Sequence, residues 1–274
     1  MNTVESDQQK IACATRALRA WERADWDATA EAFSPDGVLE AATGRPVVGR
    51  RAIREALDVM AAGVGEQDLQ LLRVGTIDGR VFEQRHDVVI VNGARGEIPT
   101  VGVLTIENDQ IVRWTDYVDR AMLREHHPAP VTPVPDTDRA AGDDTDEQKI
   151  ATAVAMIEAR SDQSWDRAAD LFAERGVLHH VMQEAVVGRQ AFRTELASMY
   201  GGLEHIETQI NTIGIIDDRV FVERVDMFDA GDQRGELPVM GVFGVRDRQV
   251  YEWLEYYDRR TWLRAAGQLP PRVS

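Results

Sequence analysis

Two short runs of this sequence bring together residue types that could move protons. In the first, Arg85 and Asp87 lie two apart among strand formers (Val81, Phe82, Val88, Val89, Ile90), and Asp116 follows within Trp114-Thr115-Asp116-Tyr117. In the second, Arg224 and Asp226 lie among Val220, Phe221, Val222 and Val225, and Glu255 follows within Trp253-Leu254-Glu255-Tyr256. Alternate residues of a strand point to one face, so each Arg shares a face with its Asp. Charged groups turned inward on such a strand are costly to bury unless paired. If the third carboxylate converges on them, one guanidinium bridges two carboxylates through forked hydrogen bonds and holds them at different proton affinities. That arrangement is acid/base machinery; its bland alternative is an ion pair that ties strands together.

The elements that must position these residues also occur twice. Matched residues are 139 apart throughout, as in 85 and 224, 99 and 238, or 116 and 255, without a gap. Gly-Glu-Ile-Pro at 96–99 answers to Gly-Glu-Leu-Pro at 235–238, and Val101-Gly102-Val103 to Met240-Gly241-Val242. The chain is a tandem duplication. Ile11, Ala14, Leu18 and Trp21, spaced three and four apart, predict an amphipathic helix over 8–24, and 147–160 repeats it. A short second helix opens at Trp26 or Trp165, a brief strand follows at Val38-Leu39 or Val177-Leu178, and a third helix runs over 51–62 or 190–201. The rest of each half reads as a β-meander, about 67–77, 80–92, 98–108 and 110–118 in the first, with turns at Asp78-Gly79, Asn92-Gly93 and Asn108-Asp109. Helices first and strands after give an α+β fold class. Four prolines and an acidic stretch mark 126–146 as a linker, separating a first domain, 1–125, from a second, 147–274.

Composition restricts the partners. The formal net charge of −16 repels phosphate backbones and anionic lipid, so neither nucleic acid nor membrane is expected as a partner. Cys13 is the single cysteine and excludes an intrachain disulfide, while the first ten residues have neither the basic start nor the apolar run of a secretion signal. No window approaches the roughly 20 apolar residues of a membrane span. A cytoplasmic location is the expectation. No metal-ligand spacing, phosphate-cradling glycine loop or nucleophile elbow occurs, so no cofactor is expected.

Helices followed by a curled sheet ending in Trp-x-Asp-Tyr-x-Asp resemble the cone-shaped fold shared by nuclear transport factor 2, ketosteroid isomerase and the SnoaL-like cyclases. Within that group, Val-Phe-Val-Glu-Arg-Val-Asp at 220–226 with Gly-Val-Phe at 241–243, and Trp114-Thr115-Asp116-Tyr117, resemble limonene-1,2-epoxide hydrolase. The resemblance covers nearly all of each half. It implies two tandem cones, each with helices packed on a curved, mostly antiparallel sheet, meeting as an intramolecular pseudo-dimer.

The resemblance also implies roles. In that family an Arg lies between two carboxylates; one protonates the epoxide oxygen while the other deprotonates a water that attacks carbon in a single step. Carried over, the acid falls on Asp87 and Asp226, the bridging arginine on Arg85 and Arg224, and the base on Asp116 and Glu255. The family's water-holding Tyr and Asn fall on Leu39 and Ala41 in the first half, and on Leu178 and His180 in the second. Tyr257, on the strand face of Glu255, could replace the lost hydroxyl. Leu39, Leu178, His180 and Tyr257 are therefore the expected substrate- or water-facing positions. The implied substrate is a small apolar epoxide or a polyketide- or terpenoid-like molecule, opened by water or by a hydroxyl of its own, as in a cyclase of secondary metabolism. Two other classes stay open: carbanion-type isomerase or cyclase chemistry of the SnoaL and ketosteroid isomerase kind, and a non-catalytic ligand-binding or scaffold protein. One carboxyl of each pair is expected to hold a proton near neutrality. Because His180 and Tyr257 are polar, the second half is expected to be at least as active as the first.

Overall fold

A computed structural model describes residues 5–61, 64–91, 94–120, 142–180, 183–231 and 233–269. The chain divides between residues 129 and 130 into two units. Most of the expected linker, 126–146, and the expected Asn92-Gly93 turn lie outside the described residues.

The first unit runs α1 (Asp7–Glu22), α2 (Trp26–Glu31), β1 (Phe33–Ala41), β2 (Val47–Val48), α3 (Arg50–Ala61), β3 (Val64–Ile77), β4 (Arg80–Val91), β5 (Ala94–Glu107) and β6 (Gln110–Tyr117). The second repeats the order as α4 (Asp146–Ser161), α5 (Trp165–Asp170), β7 (Phe172–His180), β8 (Val186–Val187), α6 (Arg189–Tyr200), β9 (His205–Ile216), β10 (Arg219–Ala230), β11 (Gln233–Arg246) and β12 (Gln249–Tyr256), then adds α7 (Arg259–Ala265). Capping is duplicated too. Ser6 accepts from the backbone N–H of Gln9 and the Gln9 side chain answers to Ser6, and Thr145 and Gln148 do the same for α4. Asp258 caps α7, accepting from Thr261 N at 2.8 Å.

Each unit holds one six-stranded sheet, ordered β2-β1-β6-β5-β4-β3 and β8-β7-β12-β11-β10-β9. Strands β3 to β6 form the expected antiparallel meander. Type I′ two-residue hairpins have positive φ at both central positions, which Asp78-Gly79 (50° and 74°) and Asn108-Asp109 (54° and 59°) supply. The first strand is longer than the brief one expected, and it joins β6 in parallel, with Leu39 beside Trp114 and Ala41 beside Asp116. A parallel neighbour needs a long crossover, and α3 with the meander provides it.

The helices cover one sheet face. In the first unit Cys13, Ala14 and Leu18 of α1 pack with Val81, Leu104 and Trp114 of the sheet. In the second, Met156 and Ile157 of α4 pack with Val220, Val222, Phe243 and Trp253. No helix among the described residues is long and apolar enough to cross a membrane.

Candidate active site

Strand β4 presents Val81, Glu83, Arg85 and Asp87 at alternate positions, on the face that meets α1. Arg85 is buried and its guanidinium spreads over three carboxyl groups. Its Nε donates to Asp87 Oδ1 at 2.9 Å, and its Nη1 and Nη2 donate to Asp116 Oδ1 and Oδ2 at 3.1 and 2.8 Å. The same Nη1 also donates to Glu83 Oε1. Asp116 accepts a further bond from Trp114 Nε1 at 2.8 Å, and Arg85 lies over the Trp114 ring at 5.7 Å. Thr100 on β5 adds a long hydroxyl contact to Asp87 Oδ2, 3.5 Å. Gly102 on β5 pairs with both Glu83 and Asp116. A Cβ there would collide with Glu83 Oε1 and come within 3.0 Å of Arg85 Nη1, so only glycine leaves room for the cluster.

One guanidinium cannot keep three carboxylates ionised away from water. Burial pushes Glu83 well above the usual carboxylate range, against the pull of Arg85. Burial also raises Asp87, again opposed by Arg85 and assisted by Asp116. The two differ in access: Glu83 is fully buried, whereas the side chain of Asp87 is 17% exposed. Asp87 lines a pocket of about 80 Å³ with Trp21, Trp26, Leu57, Leu69 and Val88, large enough for several waters. Asp116 is not among the residues that line it, though its side chain keeps 14% exposure.

The second unit repeats the set with a different balance. Arg224 Nε donates to Asp226 Oδ1 and Oδ2 at 3.1 and 3.3 Å, and its Nη2 donates to Asp226 Oδ2 at 3.2 Å and to Glu255 Oε2. Trp253 Nε1 donates to Glu255 as Trp114 does to Asp116. A second guanidinium comes from α4. Arg160 donates to Asp226 Oδ2 and Oδ1 at 2.7 and 2.6 Å and to Thr208 Oγ1 at 2.7 Å, and Thr208 donates to Asp226 at 2.9 Å. Burial alone would raise Asp226, but Arg160 and then Arg224 outweigh it and hold the carboxyl well below the ordinary range. Asp226 is 1% exposed. Close by, Trp262 packs edge-on against Tyr200 and Phe228, with centroids 5.3 and 5.0 Å away, and Arg160 lies over the Tyr200 ring. At the 139-residue offset Arg160 answers to Trp21, Tyr200 to Ala61 and Phe228 to Val89.

The limonene-1,2-epoxide hydrolase catalytic domain, as a family model, matches residues 8–127 and again 147–268. The chain belongs to the limonene-1,2-epoxide hydrolase family. Among solved structures, an LEH-like epoxide hydrolase of M. tuberculosis is 26% identical over 44% of this chain and 92% of its own, with a TM-score of 0.40. A putative SnoaL-like polyketide cyclase from Jannaschia sp. CCS1 is 17% identical over 48% of this chain and 100% of its own, with a TM-score of 0.41. A protein with a ketosteroid isomerase-like fold from Catenulispora acidiphila is 19% identical over 38% and 83%, at a TM-score of 0.36. No curated protein matches the chain.

In this tandem member of the limonene-1,2-epoxide hydrolase family, Arg85, Asp87 and Asp116 meet at one guanidinium, and Arg224, Asp226 and Glu255 meet at another. The residues expected to face water lie elsewhere. Leu39 packs in the core with Trp114, and Leu178 packs in the second core at 1% exposure. Tyr257 OH and His180 Nδ1 bond to each other at 3.1 Å, and His180 Nε2 is buried without a hydrogen-bond partner among the described residues. Burial, then His179 and Arg224, lower His180 to about 3, so its imidazole is neutral.

In the second pair the expected proton does not sit on Asp226, because a second arginine supplies the charge that a proton there would otherwise neutralise. Two residues that sequence reasoning missed decide the difference between the sites. Glu83 stands two before Arg85 in the same alternation that marked Asp87, so period-two spacing could have found it. Arg160 was visible only as a Trp21-to-Arg160 change at the repeat offset.

Proposed function

We propose that the chain opens epoxides at the site of its first half, with Asp87 as acid, Asp116 as base and Arg85 holding both. The observation that carries this reading is Asp87, a carboxyl with raised proton affinity that faces a pocket while bound to Arg85. In the reaction Asp116 accepts a proton from the nucleophile, and the nucleophile's oxygen bonds to an epoxide carbon. The carbon–oxygen bond of the ring breaks, and its oxygen takes the proton of Asp87. With water the product is a diol, and proton exchange with solvent resets the two carboxyls. Apolar pocket walls suit an apolar substrate. Asp226, ionised and closed in by Arg160, has no proton to give, so the second half is assigned a structural role.

A second reading rests on the positions of the missing water-holding groups. Leu39 and Ala41 offer no hydrogen-bonding side chain, which favours a nucleophilic hydroxyl carried by the substrate itself and a cyclic ether product. Incubating the full chain with a panel of apolar epoxides, some bearing a hydroxyl, in heavy-oxygen water separates the two. Label in a diol supports hydrolysis, an unlabelled cyclic ether supports cyclisation, and no ring opening across the panel contradicts the proposal.

A further inference from the structure

The two arginines at matched positions hold their acids differently. Arg85 gives Asp87 one hydrogen bond, from Nε. Arg224 gives Asp226 three, two from Nε and one from Nη2. The difference coincides with the residue two places earlier on the strand. Glu83 holds Nη1 of Arg85, whereas the counterpart of Glu83 is Val222, and Nη1 of Arg224 has no hydrogen-bond partner among the described residues.

Glu83 is an expensive residue to keep. It is fully buried, its Oε2 has no hydrogen-bond partner among the described residues, and it fits only because Gly102 lacks a Cβ. A carboxylate oxygen with no donor in a dry site favours the protonated form. A protonated carboxyl still accepts a hydrogen bond from Nη1 through its carbonyl oxygen.

We propose that Glu83 is a positioning residue, which anchors Nη1 of Arg85 toward the strand interior so that Asp87 keeps a single guanidinium hydrogen bond. The consequence is chemical. A carboxyl that shares its arginine with two others gives up its proton less readily than one clasped by two or three N–H groups. The groups that face Asp87 are Glu83 and Arg85 from its own strand, Asp116 from β6 and the Thr100 hydroxyl from β5, with Glu22 of α1 and Asp68 of β3 on the same pocket wall. All of these except Glu83 itself are retained in sequence when Glu83 alone is changed.

The inference deepens the assignment of Asp87 as acid, yet its test needs no substrate. In the full chain the side-chain carboxyl of Asp87 is titrated by carbon NMR, with Asp87→Asn fixing the assignment, for the unmodified chain and for Glu83→Gln, Glu83→Val and Glu83→Ala. Glutamine keeps a carbonyl acceptor for Nη1, and valine is the residue of the second half. Glu83→Val and Glu83→Ala are expected to lower the proton affinity of Asp87 about tenfold or more, whereas Glu83→Gln stays within about twofold of the unmodified chain. Either release variant suffices if the other fails to fold. If both leave the titration unmoved, or if Glu83→Gln falls as far as they do, the positioning role is overturned. A shifted titration in a chain that opens no epoxide leaves the role of Glu83 standing and removes the epoxide reading instead.

Discussion

Arg160 clasps both carboxylate oxygens of Asp226, at 2.6 and 2.7 Å, from the helix position where the first half carries Trp21. The same backbone frame therefore holds an acid at the edge of a pocket in one half and a charge-balanced ion pair in the other. Removing one partner of a buried pair leaves an uncompensated charge, at a cost of about 3–5 kcal/mol. Arg160→Met is expected to destabilise the second half by about that amount in denaturant unfolding. Adding Asp226→Asn should recover part of the loss, because the stranded charge goes with it. An additive double variant would contradict the coupling.

The two halves should respond to acid in opposite directions. Asp226 has a depressed folded pKa, so its stabilisation is present above the ordinary Asp range and is lost as pH falls through that range and below it. His180, lowered to about 3, adds a loss that begins near the ordinary His value of about 6.5. Glu83 and Asp87 have raised folded pKa values, so their contribution is present in acid and lost as pH rises above the ordinary carboxylate range. Hydrogen exchange of β4 and β10 peptides, corrected for intrinsic rates, is the measurement. Between pH 7 and pH 5 protection should fall in β10 through His180 and hold or rise in β4, and below about pH 4 Asp226 should add to the β10 loss; equal losses in both strands would contradict the assigned protonation states.

Gly102→Ala tests the packing of the triple-carboxyl cluster. Its Cβ would land on Glu83 Oε1 and near Arg85 Nη1, so one of these buried side chains must shift. A cost of about 1–3 kcal/mol to the first half is expected, as for other overpacked interiors. An alanine tolerated at under about 0.5 kcal/mol would mean that Glu83 is held less closely than its contacts indicate.

Much of this was legible in the sequence, and the reasons are local. The repeat offset, the helix periods of α1 and α4 and the alternation of Arg85 with Asp87 are carried by neighbours along the chain, so counting residues finds them. The parallel pairing of β1 with β6 was missed because it joins Leu39 to Trp114 across the whole meander. The Arg160–Asp226 clasp was missed for the same reason, as its partners are 66 residues apart. Expecting the second half to be at least as active followed from treating His180 and Tyr257 as free polar groups. They are buried and bonded to each other through Nδ1 of His180, while its Nε2 has no hydrogen-bond partner among the described residues.

In the proposed assignment the Asp87 carboxyl of the first half does the chemistry while Asp226 holds structure. The most direct measurement compares kcat for ring opening of an apolar epoxide by Asp87→Asn and Asp226→Asn, each normalised to folded protein. Loss of a general acid typically costs about 10²–10⁴-fold, and Asp87→Asn is predicted to lose that much. Asp226→Asn is predicted to unfold more easily but to turn over within about threefold of the unmodified chain, since no group that touches substrate has changed. Turnover abolished by Asp226→Asn and preserved in Asp87→Asn would reverse the assignment of the two halves.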